Sequence, residues 1–195
     1  MSSSEITECF NNVRDSQNSA LAHYQIWFTL RGKGKAIDKY LSDMNDYRYV
    51  DFFHAANSGN YKLMFIETAC LFDSDDRTHN IRELKTLMTQ NGLTNLVDKF
   101  DQELKPFSKL VSNIKTIRSK VIAHKEAYVD PGELYKKHGI KPDDIKALLN
   151  TTAVLLMELE SILTNNSSSH SVGPTDRWER ATFGLLEALQ NERRS

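Results

Sequence analysis

The sequence predicts an all-α fold, an antiparallel bundle of about six to eight helices. Three observations point there. Apolar residues recur at three- and four-residue intervals along most of the chain, the period of one helix face. Only 8 Gly and 4 Pro are present among 195 residues, too few for the many turns of a β protein. No alternating apolar and polar run reads as a strand.

A first helix is expected from about Glu5 to Leu30, with Ile6, Phe10, Val13, Ala20, Leu21, Tyr24, Trp27, Phe28 and Leu30 on its apolar side. Gly32 and Gly34 punctuate its end. The glycines of Arg31-Gly32-Lys33-Gly34-Lys35 lack the spacing, the following Ser/Thr and the preceding strand of a phosphate loop. A short helix over Ala36–Met44 leads to Asp46, an N-cap candidate. The segment from Tyr47 to Phe72 is the most apolar and aromatic stretch, with a bend expected at Ser58-Gly59-Asn60. Its second half is apolar nearly all round, as a buried helix requires, yet carries Glu67.

Asp73-Ser74-Asp75-Asp76 lacks the Gly and terminal Glu of a calcium loop and suits helix capping. A helix from Ile81 to Gln90 should stop at Asn91-Gly92, and Thr94 should cap the next. Pro106 marks a kink or a new start before the long pattern that contains Arg118. Asp130-Pro131 should open a short helix ending at Gly139. Pro142-Asp143-Asp144 should open another, whose regular apolar face runs from Ile145 to Leu163 and is expected beside the Arg118 helix and the Tyr61–Phe72 helix. The expected organisation is a helical domain over 1–164, a linker of Asn, Ser and Gly over 165–175, and a C-terminal amphipathic helix over 176–195.

Composition excludes several classes. Cys9 and Cys70 form no motif and should be reduced thiols. The start has neither the basic cap nor the apolar run of a signal peptide, and no uninterrupted apolar stretch reaches the ~20 residues of a membrane helix. A cytoplasmic protein with no membrane association is expected. None of the six histidines has a His or Cys at ligand spacing on its own helix, so no metal and no cofactor are expected. No Ser or Cys sits in a nucleophile motif.

The remaining chemistry lies between Leu104 and Lys125. Leu104, Phe107, Leu110, Val111, Ile114, Ile117, Val121 and Ile122 paint one apolar stripe, and Arg118 falls inside it. A guanidinium there needs a partner; Glu67 either sits at an exposed helix edge, the reading its position favours, or is that partner. His124 follows six residues on, roughly 9 Å further along a continuing helix. The window contains no Asp or Glu but holds Lys105, Lys109, Lys115, Lys120 and Lys125. With 25 Lys+Arg against 26 Asp+Glu overall, this positive charge is local; such a patch can hold phosphate, and equally suits the dipole at a helix C-terminus.

Arg and His near one phosphodiester are sufficient for RNA cleavage without metal. The 2′-OH is an internal nucleophile, His can take and return protons, and Arg stabilises charge on the phosphoryl oxygens. A two-fold pair of such motifs would supply both an acid and a base.

Arg118-x-x-x-x-x-His124 on a long helix resembles the signature of the HEPN superfamily, and Tyr61–Asp73 together with Ile117–His124 resembles its abortive-infection AbiU-like branch. The resemblance covers about Tyr24 to Leu163. It implies a HEPN-type bundle over 1–164 and a homodimeric, metal-independent endoribonuclease of the toxin–antitoxin or antiviral defence kind. Arg118 and His124 would be catalytic, Lys115, Ser119, Lys120 and Lys125 would bind RNA, and Glu67 would support Arg118. An antitoxin or other regulatory protein is implied as a further partner. The alternative is a non-catalytic HEPN module binding nucleotide, RNA or protein. Two positions depart from the family pattern: Ser119 stands where active members often carry Asn, Asp or His, and Glu126 where some carry a modifiable Tyr.

Overall fold

The computed structural model describes residues 3–32, 34–75, 77–123, 136–165 and 170–194. Among these there are eight α-helices and no strand, as the apolar periodicity requires. They are α1 (Ser3–Arg31), α2 (Ala36–Met44), α3 (Val50–Leu71), α4 (Ile81–Gln90), α5 (Thr94–Leu104), α6 (Ser108–Ile117), α7 (Pro142–Thr164) and α8 (Arg177–Arg194). A 3₁₀ turn at Lys105–Phe107 carries the chain past Pro106 from α5 into α6, and a π-helical turn at Arg118–Ala123 extends α6. The chain forms two compact units, one of residues 1–20 and 65–174, the other of 21–64 and 175–195.

The first unit is built on α7. Pro142 occupies its first turn with Asp143 and Asp144, carboxylates at the positive end of the helix dipole. Asn165, in the left-handed region at φ 51°, ends it. Ile145, Leu148, Leu149, Ala153, Leu155, Leu156 and Leu159 are buried along it. By length and composition alone this 23-residue helix is the one among the described residues that could cross a membrane. The same side chains are, however, those that fill the unit's core.

Helix α7 packs against α5, whose Leu96 and Phe100 are buried in the same unit. The sequence places the Arg118 helix and the Tyr61–Phe72 helix beside α7, and this α5 contact is one that no local spacing announces. The amphipathic α5 presents the larger buried side chains, and Lys99 adds an ion pair to Glu158 at its edge. Ile6, Cys9, Phe10 and Val13 of α1, and Ile81, Leu84 and Met88 of α4, are also buried in this unit. Asn80 caps α4, accepting from the Glu83 N–H at 3.0 Å, so the aspartates at 73–76 are not its cap. Leu93, not Thr94, is the N-cap of α5. Glu160 of α7, itself buried, accepts from the Ser171 N–H at 2.9 Å and from the Ser171 hydroxyl. Residues 170–172 are thereby fixed to α7, and Val172 is buried.

In the second unit α2 packs along α8 around Leu30, Ala36, Tyr40, Met44, Phe53 and Leu186. The C-terminal amphipathic helix therefore buries its apolar side on the chain's own core, with Phe183 and Leu189 at the edge. The bend expected at Ser58-Gly59-Asn60 does not occur, and α3 runs unbroken through it. The Asn60 side chain donates to the Ala56 carbonyl at 2.7 Å and meets His23 Nδ1 at 2.7 Å. A lone Gly costs a helix only about 1 kcal/mol, which such contacts offset. The short helix expected after Asp130-Pro131 falls largely outside the described residues.

Candidate functional site

The α6 sequence sorts its side chains onto two faces. Ile114 and Ile117 are buried at 1% and 0% exposure and hold the helix on the core. On another face, Ser108, Ser112, Lys115 and Ser119 follow one another at intervals of four, three and four, the spacing that aligns side chains along a helix. With Val111, Thr116 and Lys120 they line an open groove of about 580 Å³. The structure thus brings Lys115, Ser119 and Lys120 together, three of the residues singled out for phosphate contact.

Sequence reasoning missed the hydroxyl half of this groove. Its signal is the helical spacing of Ser108, Ser112 and Ser119 on a polar face, which a charge-based reading passes over. Ser108 Oγ donates to the Lys105 carbonyl at 2.8 Å and Thr116 Oγ1 to the Ser112 carbonyl at 2.9 Å. Their oxygen lone pairs therefore remain as acceptors towards the groove. Two ammonium groups beside such acceptors match a ribose–phosphate backbone, which offers anionic oxygens and 2′-OH donors at alternating positions.

Arg118 stands where α6 changes bonding. Its N–H is shared between the Ile114 and Lys115 carbonyls, and the chain then continues as the π turn. Such turns open the helix by one residue and recur at functional sites. The α-helical spacing expected between Arg118 and His124 therefore ends at Ile117. His124 and Lys125 lie outside the described residues.

The Arg118 side chain is half-buried, as is Glu67 on α3. No ion pair joins them among the described residues, so the direct Glu67–Arg118 pairing is not formed. Both instead act on Cys70. Burial raises the pKa of that thiol, Glu67 raises it further, and Arg118 opposes the rise. The two charges thus share one electrostatic neighbourhood without touching.

Asn113 ties α6 to the chain that re-enters beyond residue 135. Its Nδ2 donates to the His138 carbonyl at 2.9 Å, and its Oδ1 lies 2.9 Å from His138 Nδ1. No spacing rule signals this pair, because its members are twenty-five residues apart.

A family model for AbiU2, of the HEPN type, matches residues 20–180, a span containing the groove, Arg118 and the His124 position. No curated protein and no solved structure matches the chain. Most of the sequence fits that one model, the fold is all-helical as a HEPN bundle demands, and the chain belongs to the AbiU2 family of HEPN domains.

Proposed function

We propose that this chain is a metal-independent endoribonuclease that acts as a homodimer, with Arg118 and His124 of each copy at a shared site. The observation that carries the reading is the groove lined by Lys115, Ser119 and Lys120, next in sequence to Arg118 on a helix end free of acidic residues. Membership of the AbiU2 family supports it.

The chemistry is internal transesterification. One His124 imidazole takes the proton of the ribose 2′-OH, whose oxygen attacks the adjacent phosphorus. The 2′-O–P bond forms as the P–O5′ bond breaks, and the second copy's imidazolium donates a proton to the departing 5′ oxygen. Arg118 holds the non-bridging oxygens while charge builds on them. Lys115, Lys120 and Lys125 grip neighbouring phosphates, and Ser119 adds a hydroxyl contact. The products are a 2′,3′-cyclic phosphate and a 5′-OH. Glu67 supports the site through the local field it shares with Arg118. The setting is a cytoplasmic defence effector held in check by an antitoxin or other regulatory protein.

The test is cleavage of varied RNAs in EDTA by the wild type and by His124→Ala, with helix content of both followed by circular dichroism. The wild type should cut and the variant should lose at least ~100-fold in rate, as expected for loss of a general acid–base. RNA bound without cleavage would favour the non-catalytic HEPN module. Equal cutting by both proteins would remove His124 from the mechanism.

A further inference from the structure

A second cluster lies in the first unit and is not used by the cleavage chemistry. Cys9 of α1, His79 just before α4 and Glu83 in its first turn each present a ligand atom, and these atoms all lie within 4.8 Å of one another. Cys9 Sγ is 3.8 Å from Glu83 Oε2, and His79 Nδ1 is 3.1 Å from the same oxygen. A tetrahedral zinc site with bonds of about 2.0–2.3 Å sets its sulfur, nitrogen and oxygen ligands about 3.3–3.6 Å apart. The cluster is therefore already near the size that an ion would impose.

We propose that Cys9, His79 and Glu83 bind one Zn²⁺-class cation, which links α1 to the start of α4. The donor set of one thiolate, one imidazole and one carboxylate suits a borderline-soft divalent ion over Mg²⁺ or Ca²⁺, which take oxygen. His79 is exposed and Glu83 half-buried, so an ion can enter from that side, and water fills the fourth position there. Cys9 has 0% exposure and closes the opposite side.

The orientation of Glu83 adds a second line of support. As the third residue of α4 after the Asn80 cap, its carboxylate would ordinarily turn back to the Asn80 N–H. It turns instead to Cys9 and His79. Without metal the Cys9 proton occupies this space. A bound cation would displace that proton and take the thiolate and the carboxylate as ligands. The three ligands come from two elements separated by about seventy residues of chain, so no short spacing motif announces them.

The experiment uses the full chain, stripped by chelator and returned to metal-free buffer. Zn²⁺ is titrated by calorimetry, and Co²⁺ by absorption. The proposal expects one ion per chain and a sulfur-to-cobalt charge-transfer band. It also expects thermal unfolding to shift upward with Zn²⁺. Cys9→Ala should abolish the band, while His79→Ala and Glu83→Gln should each weaken binding by more than ~10-fold, as loss of one ligand of a three-ligand site requires. Cys70→Ala should bind like the wild type. His79→Ala changes an exposed side chain, so a folded variant is available even where Cys9→Ala fails to fold. No uptake by the wild type would overturn the proposal. So would affinity unchanged in a folded His79→Ala or Glu83→Gln, leaving the cluster as a hydrogen-bonded tie between two helices.

Discussion

Asn113 and His138 grip one another through two hydrogen bonds of 2.9 Å, side chain to carbonyl and side chain to ring. The amide Nδ2 is the donor in the first, so its Oδ1 is left to accept from His138 Nδ1–H. This fixes His138 to α6. Asn113→Ala removes both bonds from a part-buried position and should cost about 1–3 kcal/mol in urea unfolding. Single-turnover RNA cleavage by the proposed site should fall by more than this loss of stability explains. Cleavage unchanged in fully folded Asn113→Ala would separate the pair from the site.

Lys115 and Lys120 line one groove, and their contribution to RNA binding should be electrostatic. Each phosphate contact on single-stranded RNA adds about 0.7 to the slope of log affinity against log salt. Lys115→Ala with Lys120→Ala should therefore lower that slope by about 1.4 while leaving circular dichroism unchanged. Fluorescence anisotropy with a labelled RNA at several salt concentrations reads it. A slope equal to the wild type would place the RNA on another surface.

How much of this was legible in the sequence follows from the range of the forces involved. The helices along α6 and α7 were visible because an apolar stripe is a local, periodic signal. So was the basic character of the groove, since Lys115 and Lys120 sit on one short segment. The Ser108–Ser112–Ser119 face obeyed the same period, but hydroxyls carry little weight in a charge-based reading. Two features had no local signal. The π turn at Arg118 arises from a change of hydrogen-bond register, which residue types on that segment do not encode in any strong way. The uninterrupted α3 shows the contact of Asn60 with His23 and its bond back to the Ala56 carbonyl outweighing the propensity of Gly59. The meeting of Cys9 with Glu83, and of Asn113 with His138, depends on packing of separate elements, where spacing rules are silent.

Gln25 serves as a cap for a helix far away in sequence. Its Oε1 accepts from the Trp178 and Glu179 N–H groups at 3.2 Å each, and its Nε2 donates to the Thr175 carbonyl. The first turn of α8 would otherwise leave those N–H groups unsatisfied. Gln25→Ala should cost about 1–2 kcal/mol, the worth of a lost N-cap with a buried partner. Amide exchange at Trp178 and Glu179 should speed up while that of α7 stays as it was. Uniform acceleration across the chain would mean that Gln25 acts on global stability and not on the attachment of α8.

Phe100 and Leu156 test the seam between α5 and α7. Both are at 0% exposure, and the two helices share an extensive contact. Truncating either leaves a cavity that helices held at both ends cannot collapse. Phe100→Ala should cost about 3–5 kcal/mol and Leu156→Ala about 2–5 kcal/mol. The double variant reads whether the two share one cavity, and non-additivity of ~0.5 kcal/mol or more means that they do. Denaturant midpoints for the four proteins measure this. Strict additivity would show that the side chains fill separate pockets and that α7 is held by other elements. A loss below ~1 kcal/mol in both single variants would show that this seam does not carry the core, because such values belong to surface positions.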